Sequence, residues 1–171
     1  ATVDNEAELA AKVKQLPQIG FEPLAHEAQA VNEIKWYKRF TVVIGNPPYS
    51  NFGQLNKNPF ILGLLDDYKR GLNEKKINLD DDFIKFICYS QNILYQTGIG
   101  ILGFITNNTY LDGITHRRMR ESLHKTFNRI WILDLHGSLM KADVSPDGTV
   151  DENVFDIKQG VSVGLLCKSP D

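Results

Sequence analysis

Apolar residues recur along this chain with two periods. Four short runs rich in aliphatic, β-branched and aromatic residues predict strands: 42–44, 101–106, 129–135 and 161–167. The first, Val42-Val43-Ile44, has no polar alternate, the pattern of a parallel strand buried on both faces. Elsewhere the apolar positions fall three or four apart, which predicts helices. Residues 6–16 carry Leu9, Val13 and Leu16 on one stripe, ended by Pro17 and Gly20. Residues 24–35 place Leu24, Ala28, Val31 and Ile34 in phase, with His26 at the surface. Further helices are predicted over 61–70, 80–96 and 115–127. In the second of these Phe83, Phe86, Ile87, Ile93 and Leu94 form the apolar face, and Asp80, Asp81 and Asp82 supply a cap and a negative first turn. In the third, Met119, Leu123 and Phe127 share a face. Polar loops are expected over 50–58 and 136–152, the first able to close over a substrate, the second mobile.

Strands alternate with helices up to residue 135, and the last strand follows a polar loop. That is an α/β arrangement, the back half of a doubly wound sheet. The last two strands, with no helix between them, suit an antiparallel pair at the sheet edge. Residues 1–40 are expected as a helical lead-in to a domain at 41–171.

The stretch after the first strand carries the chemistry. Gly45 lets the chain turn, and Pro47 and Pro48 stiffen the loop beyond it. Asn46 and Tyr49 therefore stand at the carboxyl end of a strand, where open α/β sheets place their ligands. The exocyclic amine of a nucleobase is a poor nucleophile, because its lone pair is spread into the ring. Two acceptors aimed at its hydrogens favour the attacking form: the Asn46 side-chain oxygen and the Pro47 carbonyl. Tyr49 offers a flat face for a base drawn out of its helix. Read without that chemistry, Asn-Pro-Pro-Tyr is an ordinary turn.

Composition narrows the setting. The chain has 171 residues, with Lys plus Arg 19 against Asp plus Glu 21, so no overall basic charge announces a nucleic-acid binder. Cys88 and Cys167 lack zinc or redox spacing, and no metal set is expected. No run of apolar residues is long enough to span a membrane, and no leader pattern opens the chain, which gives the expectation of a cytoplasmic protein without membrane contact. The run Gly98-Ile99-Gly100-Ile101-Leu102-Gly103 spells G-x-G-x-x-G, but it follows a helix and opens a strand, the reverse of a dinucleotide site. It is expected to stop a helix and start a strand.

Asn46-Pro47-Pro48-Tyr49 resembles the catalytic tetrapeptide of amino-group methyltransferases that use S-adenosylmethionine. The stretch from Gly100 to Leu111 is similar to the strand-and-turn motif downstream of the catalytic loop in adenine methyltransferases of restriction–modification systems. Asp112-Gly-Ile-Thr-His-Arg-Arg-Met-Arg, Trp131-Ile-Leu-Asp-Leu-His-Gly and Asp151-Glu-Asn-Val-Phe-Asp-Ile-Lys-Gln-Gly-Val are similar to one subgroup. Its members are large bacterial or archaeal single chains joining nuclease, helicase, methyltransferase and target-recognition parts.

The resemblance implies a Rossmann-like methyltransferase sheet, double-stranded DNA as partner, and adenine N6 as acceptor. It implies Asn46, Pro47 and Tyr49 as catalytic, with Phe155 stacking on the other face of the base from Tyr49. Arg117, Arg118, Arg120 and Lys125 are candidate phosphate contacts, or simply a solvated helix face. The family carries its glycine-rich cofactor loop and an acidic ribose ligand upstream of the catalytic loop, and residues 1–45 contain no such strand and turn. The chain is therefore expected to be a fragment of a longer polypeptide. It should bind S-adenosylmethionine weakly or not at all, and self-associate through an exposed sheet edge.

Two other readings stand beside this one. Pro146-Asp147 followed by Asp156-Ile157-Lys158 spells a compressed metal-dependent nuclease pattern. The third is a non-catalytic DNA-recognition segment, which would bind DNA without needing Asn46.

Overall fold

The computed structural model describes residues 22–48, 58–74 and 79–170. The helix expected over 6–16, Tyr49, and most of the loop after it lie outside the described residues. The chain divides into two units, Ala1–Arg39 and Phe40–Asp171. In the first, helix α1 (Glu22–Tyr37) covers the predicted 24–35 and carries His26, Val31 and Ile34 exposed.

The second unit runs β1 (Val42–Gly45), α2 (Pro59–Lys69), α3 (Asp82–Thr97), β2 (Gly100–Asn107), α4 (Thr109–Asp112), a 3-10 turn (Ile114–His116), α5 (Arg117–Thr126), β3 (Arg129–Asp134) and β4 (Val161–Lys168). Helix α2 starts where Asn58 accepts from the Phe60 N–H at 2.9 Å and Pro59 takes the first turn. Helix α3 begins differently from the expectation. Asp81 stands at its cap position without a side-chain cap bond. Asp80 pairs with Lys69 at 2.9 Å and Asp82 with Lys85 at 3.1 Å, so two of these aspartates serve as ion-pair partners. The cap position, at Asp81, and the negative first turn, from Asp82, are as predicted, but without a side-chain cap bond. Phe83, Ile87 and Leu94 are buried as expected, whereas Phe86 faces out and Ile84 faces in.

The helix ends at Gly98, left-handed at φ 82°, whose N–H donates to Leu94 O at 3.0 Å. At Gly100, φ is 150° and a Cβ would lie 2.4 Å from Thr41 O. These glycines thus serve a helix stop and a close strand entry, at the amino end of β2.

The helix predicted over 115–127 is present as α5, its first two residues taken into the 3-10 turn, and the short helix α4 ahead of them was not predicted. Gly113 separates α4 from the 3-10 turn, and the Arg120 guanidinium donates to Tyr110 O and Gly113 O, both at 2.8 Å. Those carbonyls gain there the partners that a continuous helix would have given them.

The sheet order is β1-β2-β4-β3, with β1 and β2 parallel and β4 antiparallel to both its neighbours. The predicted antiparallel pair of last strands is present. Strand β4 lies inside the sheet, however, and β3 is the outer strand. Register decides the faces. Val43, Leu102, Leu166 and Ile130 share the face that packs with the helices, whose core residues include Leu65, Tyr68, Phe83, Met119 and Leu123. The opposite face carries Val42, Ile44, Ile101, Leu165, Trp131 and Leu133, all exposed. Strand β1 therefore departs from its predicted burial: Val42 is 61% and Ile44 82% exposed. An apolar run reports that a strand wants cover on both faces, but not whether cover is there.

A polar knot sits within this core. Tyr68 OH of α2 donates to Gln91 Oε1 of α3, and Gln91 Nε2 reaches Ser122 Oγ at 2.9 Å and Thr126 Oγ1 at 2.6 Å on α5. Burial pushes the Tyr68 hydroxyl pKa up. It pushes the nearby Cys88 thiol up to about 12, so that this free cysteine is inert packing. Gln91→Leu is expected to lower the melting temperature, because the Tyr68 hydroxyl left without a partner costs about 1–3 kcal/mol. Tyr68→Phe added to it should restore part of the loss. A double variant that melts no higher than Gln91→Leu would show that the bond is not what stabilises the site.

Candidate active site

The strand directions bring the predicted loop and the predicted stacking residue to one edge of the sheet. Strand β1 ends at Gly45, paired with Phe104, and β2 continues parallel to it as far as Asn107. Asn107 pairs with Val161 at the start of β4, and Asp134 at the end of β3 pairs with Ser162. Asn46, Asn107, Asn108 and the connection 135–160, which carries Phe155, thus all stand at the carboxyl edge of β1, β2 and β3. Asn46 is exposed, while the Pro47 ring is buried and anchors the turn behind it. Tyr49 lies outside the described residues, so the described part of the tetrapeptide motif is Asn46, Pro47 and Pro48.

Four polar side chains that sequence reasoning did not assign build this edge. Asn107 Oδ1 accepts from the Thr109 hydroxyl at 2.6 Å and its N–H at 3.2 Å, starting α4. Asn108 is buried. Its Nδ2 donates to Asp134 Oδ1 at 2.9 Å, and its own N–H donates to Gly160 O at 2.8 Å, so it ties the end of β2 to β3 and to the start of β4. Gly160 leaves the room: a Cβ there would lie 2.6 Å from Asn108 Nδ2. Asp134 Oδ1 also accepts the His136 N–H at 3.1 Å. Asn153 holds the connection itself. Its Oδ1 accepts the Phe155 N–H at 2.9 Å, and its Nδ2 donates to Gly137 O at 3.1 Å and to Gln159 O. The Asn-Asn-Thr turn was the visible sign of such an edge; the bonds of Asn108 to Asp134 and of Asn153 to Gly137 join residues too far apart in sequence to be read locally.

The connection expected to be mobile has defined turns. Val144 bridges Val150, and Asp147 Oδ1 accepts from the Thr149 N–H and hydroxyl at 3.0 and 2.7 Å. The hydroxyl and N–H of Thr149 hold the Asp147 carboxyl below the usual range. In the nuclease pattern, then, Asp147 is engaged as a turn acceptor.

The four candidate phosphate contacts do not form one stripe. Arg117 pairs with Glu74 and Arg120 clamps the α4 turn. Arg118 and Lys125 both donate to Glu121, at 2.7 Å each. Those two cations pull the Glu121 carboxyl down to about 2.

Comparison with solved structures places this architecture. The ATP-dependent Type ISP restriction-modification enzyme LlaBIII bound to DNA aligns with TM-score 0.73 and 26% identity over 92% of this chain. The DrdV–DNA complex aligns with TM-score 0.65 and 28% identity over 84%. A nuclease-deletion mutant of the Type ISP restriction-modification enzyme LlaGI with a DNA substrate mimic shares the fold, with TM-score 0.68 and 23% identity over 95%. This chain spans 10%, 14% and 16% of the length of those three chains. A search among curated proteins gave no match. The profile of Eco57I restriction-modification methylases matches residues 3–140, most of the length and including Asn46-Pro47-Pro48-Tyr49, and the chain belongs to that family.

Proposed function

We propose that this chain is the catalytic-loop half of a DNA adenine N6-methyltransferase. The larger restriction–modification polypeptide around it would also carry helicase and nuclease parts. The observation that carries this reading is the presence of Asn46 and Pro47 at the carboxyl end of β1, on the same sheet edge as the connection holding Phe155.

In this mechanism an adenine leaves the duplex and enters this edge. The Asn46 side-chain oxygen and the Pro47 carbonyl accept the two N6 hydrogens. Held so, the amine loses conjugation with the ring and its lone pair becomes available to an electrophile. Tyr49 and Phe155 hold the ring between them, and much of the rate comes from this positioning. The methylase family implies S-adenosylmethionine, which supplies an electrophilic methyl on sulfur. The described residues do not fit as its cradle: the Gly98 to Gly103 run lies at the amino end of β2, away from Asn46. No step with the donor is assigned to them. Among the cations, Arg118 and Lys125 can exchange Glu121 for a DNA phosphate, whereas Arg120 would have to release two carbonyls.

The test is the identity of the methylated nucleoside. The intact enzyme, given methyl-labelled S-adenosylmethionine and duplex DNA, should place the label in N6-methyldeoxyadenosine after digestion. Label recovered in a methylated cytosine, or in protein only, would refute the adenine assignment.

A further inference from the structure

Asn153 is a polar side chain that the mechanism above does not use, and its hydrogen bonds meet at Phe155. Resting on the stacking role proposed for Phe155, we propose that Asn153 is a positioning residue: it fixes the Phe155 backbone so that the ring meets the extruded base.

Each functional group of the Asn153 amide is committed. The oxygen accepts the Phe155 N–H at 2.9 Å, a turn that sets the direction in which the chain leaves residue 154. The nitrogen donates to Gly137 O, just after β3, and to Gln159 O, just before β4. One side chain therefore joins both stems of the connection to the residue at its working point. The Phe155 carbonyl is fixed as well, accepting the Ile157 N–H at 2.8 Å. The stems are tied again by Leu139 N–H to Lys158 O and Val161 N–H to His136 O, both at 3.1 Å. The Phe155 residue itself is 36% exposed. A partly exposed aromatic on a connection of this length would ordinarily sample many positions. Anchoring its backbone beforehand removes that entropy from the step in which the base arrives.

Alanine could remove the effect by loosening the whole connection, so the test is a double-mutant cycle in the intact enzyme. Phe155→Ala should slow methylation by about 10-fold or more, as expected for a lost stacking ring. Asn153→Ala should slow it by about the same factor with little change in KM for DNA, and shift the fluorescence of 2-aminopurine placed at the target adenine in the same direction as Phe155→Ala does. In the Phe155→Ala background, Asn153→Ala should add nothing, because a residue that acts only through Phe155 has nothing left to position. A full rate for Asn153→Ala, or losses that multiply in the double variant, would overturn the proposal. Phe155→Ala at full rate would overturn the stacking role and this proposal together. Slow Phe155→Ala with fast Asn153→Ala overturns this proposal alone. If Asn153→Ala does not fold, Asn153→Asp takes its place in the cycle; it keeps the shape and sets a carboxylate against the two carbonyls.

Discussion

Replacing Asn46 by alanine in the intact enzyme is expected to abolish methyl transfer to DNA while leaving the fold unchanged. Losing one preorganised hydrogen-bonding group at a reacting centre lowers turnover by about 10²–10³-fold. In the proposed mechanism the same group also fixes the amine's orientation, so the loss should fall at the upper end. Asn46 is exposed at the end of β1 and lies outside the apolar core, so stability should change by no more than about 0.5 kcal/mol. Asn46→Asp retains an acceptor oxygen and should keep a measurable remnant. Incorporation of labelled methyl under single-turnover conditions separates the three proteins. An Asn46→Ala enzyme within a fewfold of wild type would remove this residue from the mechanism, and with it the argument that β1 ends in a catalytic loop.

The second large effect concerns association. The sheet face opposite the helices shows Trp131 50% and Leu133 61% exposed on β3 and Val42 and Ile44 exposed on β1, with Ile101 and Leu165 between them. Strand β1 is also an outer strand of the described sheet. A continuous apolar face next to an unpaired strand edge favours pairing between copies. Each such side chain fully covered is worth about 1.5–3 kcal/mol. The chain by itself should therefore scatter light as species heavier than 19.4 kDa, with mass rising with concentration. Ile44→Lys with Leu133→Lys should return it to a monomer with the same far-ultraviolet spectrum. A wild-type chain that stays monomeric at every concentration would remove this expectation.

The legible part of the sequence was local. The β-branched run before Gly45, the helical stripe of Met119, Leu123 and Phe127, and the glycine stop at Gly98 each depend on neighbours within a few residues. The hidden part depended on partners far away. The slot that β4 takes between β2 and β3 cannot be read from β4, because an alternating strand pairs equally well at an edge. The turn at Gly113 ahead of α5 needed Arg120 to turn inward, although its position on a charged helix suggested solvent. The candidate site divided in the same way. Asn46 and Pro47 were visible as a stiff turn, whereas the bonds of Asn108 to Asp134 and of Asn153 to Gly137 join separate parts of the chain. A sequence window shows each as just another polar residue in a loop.

Strand β4 has a consequence for how this protein is made. It comes last of the four in sequence yet bonds to both β2 and β3, which do not bond to each other. While the chain emerges from the ribosome, β3 has no sheet neighbour until β4 arrives to fill the gap. Pairing across such sequence distances is slow, because the intervening segment must first be closed into a loop. That segment is the one carrying Phe155. One face of the proposed base pocket would therefore be assembled only when the sheet zips shut, so that unfinished chains, with β3 and its flanking apolar face unpaired, would be exposed both to aggregation and to chaperones.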